Sequence, residues 1–221
     1  MSVKKKIQKT RKPLSRELLI QTAVSFADQN GIDTLSMRNL ANTLGVEAMS
    51  LYNHIKNKDE VLDGMVENLV KLFYLPKLGG DWKKEMKKRA KSVREVLTLH
   101  PWLTMLLVAR VNIGEYMLRY FNDTLGCLVE SGFTYKQADQ ILNVIDSHIY
   151  GFTLQELNFP FAAEDYSKKA TEYLPMIPSE GLPYFYNLTK EVSSGRYNGK
   201  QNFDFGLDLI LNGLNPNPKK Y

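Results

Sequence analysis

An all-α chain is expected from three observations. From Ser15 onward apolar residues recur at three- and four-residue intervals in one segment after another. No stretch alternates with period two for long enough to make a strand, and there are no internal repeats. Between Ser36 and Lys58 the run SMRNLANTLGVEAMSLYNHIKNK reads as two short helices joined by a tight turn at Gly45. Leu40, Ala41 and Leu44 form the inner face of the first, and Val46, Leu51 and Ile55 supply the apolar contacts of the second. Two helices that cross steeply tolerate only a small side chain where they touch, which is the place of Ala41. The second helix then turns Ala48, Met49, Ser50, Tyr52, Asn53 and His54 away from the core, a surface that can enter a major groove.

The remaining elements follow in order. Residues Met1 to Pro13 are lysine-rich without apolar periodicity, a flexible basic tail that is either simply solvated or an arm for phosphates and the minor groove. A helix opens after Ser15, with Leu18, Leu19, Thr22, Ala23 and Phe26 on one face, and closes at Asn30-Gly31. Ser36 is placed to cap the first motif helix. After Asn57-Lys58 a longer connecting helix runs from Asp59 to Leu75, ended by Pro76 and Gly79-Gly80. Trp82 begins a helix whose outer face, Lys83, Lys84, Lys87, Lys88, Arg89 and Lys91, reads as a solvated basic surface, with Met86, Ala90, Val93, Val96 and Leu97 inward. Helices are then expected at Leu103 to Ala109, Glu115 to Glu130, Tyr135 to Leu157, Asp165 to Leu174, Tyr184 to Ser194 and Phe203 to Leu214, in a chain of roughly nine or ten helices.

Length and charge bound the function. The 221 residues can bury a sizeable core. The net charge of +5 is unevenly placed: Met1 to Lys58 carries ten basic residues against four acidic ones, leaving the rest near neutral. A basic first quarter on a neutral remainder suits a polyanion-binding domain joined to something with another job. Cys127 is the only cysteine, which excludes an intrachain disulfide and a cysteine zinc site and suits a reducing cytoplasm. No apolar run reaches the roughly 20 residues of a membrane span, the longest, near Leu103 to Val111, being broken by Arg110.

LGVEAMSLYNHIKNK, preceded by LSMRNLA, resembles the DNA-binding domain of the tetracycline-repressor (TetR) family. Trp82, HPW, ESGF, HIYGFTLQE and FDFGLDLILNGL resemble the C-terminal domain of the subgroup that contains the tetracycline repressors. The resemblance implies a homodimeric transcriptional regulator, released by a small molecule from a palindromic double-stranded DNA operator. It divides the chain into the tail 1–13, a helix-turn-helix domain 14–58, the connecting helix 59–75 and a ligand-binding and dimerisation domain 76–221. Carried over by position, Arg38, Ser50, Tyr52, His54 and Lys58 contact DNA. Independently, Lys58 and the Tyr52 hydroxyl can hold phosphates and Arg38 can read a guanine edge. Ala48 stands where tetracycline repressors have a base-reading amide, so the operator is expected to differ.

On the effector side, Leu107 stands in the place of the family's metal-binding histidine and Gln155 in that of its acid, so neither a metal nor any other cofactor is expected. Trp102, Met105, Tyr116, Met117, Tyr120, His148, Phe152 and Gln155 lie at helical spacings that line one mostly apolar cavity or form plain core. His148 is either its polar handle or a satisfied core histidine. Ile141, Ile145, Leu207, Ile210 and Leu211 are expected to supply the dimer surface. Two other readings stay open: a DNA-binding dimer without an effector, and a helical enzyme. Against the enzyme stand the scattered histidines His54, His100 and His148 and the lack of any carboxylate pair or Cys/His nucleophile.

Overall fold

The computed structural model describes residues 13–162, 165–199 and 201–216, so that residues 1–12 of the basic tail lie outside the described residues. Among the described residues there are eleven α-helices and no strand, one or two helices more than expected from the sequence. They are α1 (Arg16–Asn30), α2 (Met37–Leu44), α3 (Ala48–Leu51), α4 (Lys58–Val70), α5 (Trp82–Leu99), α6 (Leu103–Ala109), α7 (Glu115–Glu130), α8 (Tyr135–Leu157), α9 (Tyr166–Tyr173), α10 (Pro183–Ser193) and α11 (Phe203–Asn212). The chain divides into two compact units, one from Met1–Tyr74 with Leu99–Asn122, the other from Leu75–Thr98 with Asp123–Tyr221.

In the first unit the helix ends are set by side-chain caps. The Ser15 and Ser36 hydroxyls accept the amides of Leu18 and Asn39, and the Asn57 carboxamide accepts that of Glu60. Asn57 thereby starts α4 one residue earlier than expected, and the helix ends at Val70, short of Leu75, because the chain turns through Leu72 and Phe73. Leu19, Ala23, Leu40, Leu51 and Met65 are fully buried, each burial contributing up to about 1.5–3 kcal/mol for the larger side chains. Segment 99–122 joins this unit through three sets of polar contacts. Asp28 near the end of α1 receives His100 and Trp102, Arg110 forks onto Asp59 and Asp63, and Glu67 accepts the first amides of α7 from Tyr116 and Met117. Gly114 leaves room for the Glu67 carboxylate, since a Cβ there would overlap it and the Glu67 side chain would have to move off the α7 amides.

In the second unit α5, α8 and α11 pack around Met86, Val93, Ile145, Ile149, Leu207 and Leu211. The lysines of the outer face of α5 stay at the surface as expected, Lys84, Lys88 and Lys91 exposed and Lys83 and Lys87 half-buried, but Arg89 departs from that face. Arg89 is fully buried and its Nη2 donates to Asp146 of α8 at 2.6 Å. Lys87 and Lys91 pair with Asp208 and Asp204 of α11, and Lys83 reaches Asn212. The acids recur every fourth residue on α11, so they meet the lysines that recur every fourth residue on α5.

The apolar surface of α8 and α11 also differs from expectation. Ile141, Ile145, Leu207 and Leu211 are buried inside the protomer, and Ile210 is half-buried. The seam between α8 and α11 consumes them, and Val144, Phe205 and Leu209, each more than half exposed, present the outward apolar face instead. α9 and α10 pack on each other and leave Tyr173, Tyr184, Phe185 and Leu188 exposed.

Candidate nucleic-acid interface and effector site

The reading head is built by the turn after α2. Gly45 takes the left-handed conformation (φ 66°, ψ 39°) that a β-carbon makes costly, and the amides of Gly45 and Val46 bond back to the carbonyls of Asn42 and Ala41. The chain reverses and delivers α3, a single turn that continues as hydrogen-bonded turns through His54 and Ile55. Leu51 and Ile55 anchor this segment in the core and Val46 is half-buried. Of the residues expected to face DNA, Met49 is 75% exposed and Tyr52 46%, which excludes packing of Tyr52 beneath the helix. Arg38, Asn53 and Lys58 are exposed, while Ala48, Ser50 and His54 are half-buried.

The base of the head is electrostatically braced. The Glu60 carboxylate accepts the Lys56 amide at 2.8 Å and faces Arg16 Nε at 3.4 Å. The Lys56 amide bond is the largest cause of the lowered Glu60 pKa, opposed by desolvation and helped by Arg16. Glu60 is therefore ionised at neutral pH and fixes the loop that presents His54 and Lys58.

The residues expected at an effector pocket fall into both units. In the first, Trp102, Met117 and Tyr120 are buried, Tyr120 packing on Phe73, whereas Met105 and Tyr116 are about half exposed. In the second, His148 stacks on Phe203 at 5.0 Å, and its Nε2–H donates to the Phe203 carbonyl at 3.0 Å, so His148 is hydrogen-bonded by its own protomer. Gly206 leaves room for that imidazole, as a Cβ there would lie 2.5 Å from Cε1. Phe152 meets Phe203 edge-on, and Gln155 accepts from Gln201 at 3.4 Å.

Beside this cluster the second unit has an open cavity of about 790 Å³, with Phe152, Phe203, Arg94, Glu156, Tyr197 and Asn202 among its lining residues. The Arg94 guanidinium lies over the Phe152 and Phe203 rings at 5.5 and 5.2 Å and pairs with Glu156. The sequence reading missed Arg94 and the 197–202 loop, because helical periodicity along α8 carries no information about a loop some 45 residues further on.

Two family profiles match the chain. One, described as bacterial regulatory proteins of the tetR family, covers residues 19–65, and the other, the tetracyclin repressor-like C-terminal domain, covers residues 75–217. The chain belongs to the TetR family. TetR-family relatives match it along most of its length. The class D tetracycline repressor protein of Escherichia coli is 27% identical over 208 residues, 91% of this chain and 89% of the relative. The transcriptional repressor DrrR1 of Streptomyces coeruleorubidus is 26% identical over 211 residues, 91% of this chain and 77% of the relative. The structure of ActR from Streptomyces coelicolor, in complex with actinorhodin, is 25% identical with a TM-score of 0.75, covering 91% of this chain and 97% of ActR. The chain is thus a TetR-type DNA-binding transcriptional regulator, with its reading head in the first profile and a helical C-terminal domain in the second. No helix among the described residues is long and apolar enough to cross a membrane.

Proposed function

We propose that the protein is a homodimeric repressor that holds a palindromic operator with two copies of the reading head and leaves it when a small molecule binds. The observation that carries the reading is the head itself: a left-handed Gly45 turn that presents Met49, Tyr52, Asn53 and Lys58 to solvent while Leu51 and Ile55 anchor them. Lys58 and Tyr52 hold phosphates, Arg38 and Ser50 contact bases or backbone, His54 lies against the backbone, and Ala48 makes only an apolar contact. Dimerisation uses the outward faces of α8 and α11, where Val144, Phe205 and Leu209 are exposed.

The effector is a mostly apolar molecule with few hydrogen-bonding groups, and it needs no metal. The cavity beside Phe152 supports a ligand site by its volume, within the range of about 300–1,000 Å³ usual for ligand pockets. Its Phe152 and Phe203 rings offer apolar contact, while Lys91, Arg94, Glu95, Glu156 and Asp204 in the same lining add charged groups that a purely apolar ligand would not use. The relatives' ligand-bound structures support an effector in general and leave its identity to experiment.

Selection from a randomised duplex pool at two salt concentrations tests the reading. The expected result is enrichment of one palindrome, bound with a steep salt slope by a protein that sediments as a dimer. Failure to enrich any sequence, or a monomer at micromolar concentration, refutes it.

A further inference from the structure

We infer that Asp28 is a positioning residue for DNA reading: it fastens the His100–Ala109 segment to α1, so that this segment sets the reading head through α1 as well as through α4. The inference rests on the DNA-binding function proposed above.

The first ground is the placement of the charge. Asp28 sits in the last turn of α1, where the helix dipole disfavours an anion and where no basic residue offsets it. Local helix energetics would not select a carboxylate there. Its role is tertiary: one oxygen, Oδ1, accepts the indole Nε1–H of Trp102 at 2.7 Å and the Nδ1–H of His100 at 2.8 Å. Both donors lie more than seventy residues away in sequence, on the segment that opens α6. Trp102 is 8% exposed and the two rings meet edge-on at 6.0 Å, so the donors are held by packing as well.

The second ground is what α1 touches. It packs on α2, the first helix of the motif, and on α4. A displacement of α1 is therefore felt directly by α2 and the Gly45 turn, as well as by α4. The third is that α4 has its own, separate attachments, Arg110 to Asp59 and Asp63, and Glu67 to the amides of Tyr116 and Met117. Segment 99–122 thus grips both helices that support the motif. Among the described residues, the polar contacts of His100 and Trp102 with α1 converge on the one side chain of Asp28.

Electrostatics provides a test that separates positioning from charge. Removing an acid from a DNA-binding head strengthens its attraction for a polyanion, so charge alone predicts tighter binding by Asp28→Ala. Positioning predicts the opposite. The assay uses the full-length dimer and the operator recovered by selection, at a temperature where circular dichroism shows every variant folded. Asp28→Ala is expected to weaken operator binding about tenfold while binding to a random duplex stays level or tightens. Asp28→Asn, which keeps an acceptor for Trp102, is expected to stay within about threefold of the native protein. Trp102→Phe should weaken binding as well, and the double variant Asp28→Ala/Trp102→Phe should be no weaker than the worse single change.

Operator binding by folded Asp28→Ala equal to or tighter than native would overturn the inference, and so would additive losses in the double variant. Should Asp28→Ala fail to fold, Trp102→Phe alone decides, with unchanged operator affinity counting against positioning. If the native protein enriches no operator, the DNA-binding proposal fails first and the inference falls with it.

Discussion

Replacing Arg89 by Met tests the buried centre of the second unit. Arg89 has no exposed side-chain surface, and Asp146 opposite it is nearly buried. Burial is the largest influence on Asp146 and raises its pKa above the ordinary 3.8, while the charge and hydrogen bond of Arg89 act to lower it. Arg89→Met removes both lowering influences and leaves the carboxylate buried alone. Breaking such a pair costs about 3–5 kcal/mol, which in a chain of this size lowers the melting temperature by on the order of 10 °C. The double change Arg89→Met/Asp146→Leu removes the stranded charge and should recover stability to within about 1 kcal/mol of native. The pH dependence has a definite sign. An acid whose folded pKa is raised favours folding when protonated, so the penalty is full above the raised value and disappears as pH falls toward 3.8. Thermal denaturation at fixed protein concentration, at pH 8 and pH 5, should show a smaller deficit for Arg89→Met at pH 5. A double variant as unstable as the single one, or a single variant with the same deficit at both pH values, would refute the reasoning.

Other consequences are open to direct measurement. Gly114→Ala forces its Cβ into the Glu67 carboxylate and breaks the cap on α7, so denaturant titration should show a loss of about 1–2 kcal/mol. Lys58→Ala should weaken binding to operator and random duplexes alike and reduce the salt slope by about 0.9 per protomer, read by anisotropy across a salt series; an unchanged slope would remove Lys58 from the phosphate contacts. Cys127 is fully buried and burial pushes its thiol up to about 11, so in native protein at pH 8 it should alkylate far more slowly than after denaturation, followed by intact-mass spectrometry.

What the sequence by itself determined is local. The Ser15, Ser36 and Asn57 caps, the Gly45 turn and the apolar spacing of Leu40, Ala41, Leu51 and Ile55 act within a few residues of one another. They therefore made the all-α class, the helix order and the reading head legible, along with the family. The tertiary structure alone decided what lies opposite each helix. The α5 lysines remain solvated as they look, two of them meeting Asp204 and Asp208 of α11 at the surface, but Arg89 looks like their equal until Asp146 takes it inside. Ile141 and Leu207 look like dimer surface until α8 and α11 close on each other and leave Val144 and Leu209 outside. Asp28, Arg110 and Glu67 acquire their roles only from partners more than forty residues away. Periodicity reports which face of a helix is apolar and says nothing of which distant element covers it, because pairing depends on chain closure over separations that no local window spans.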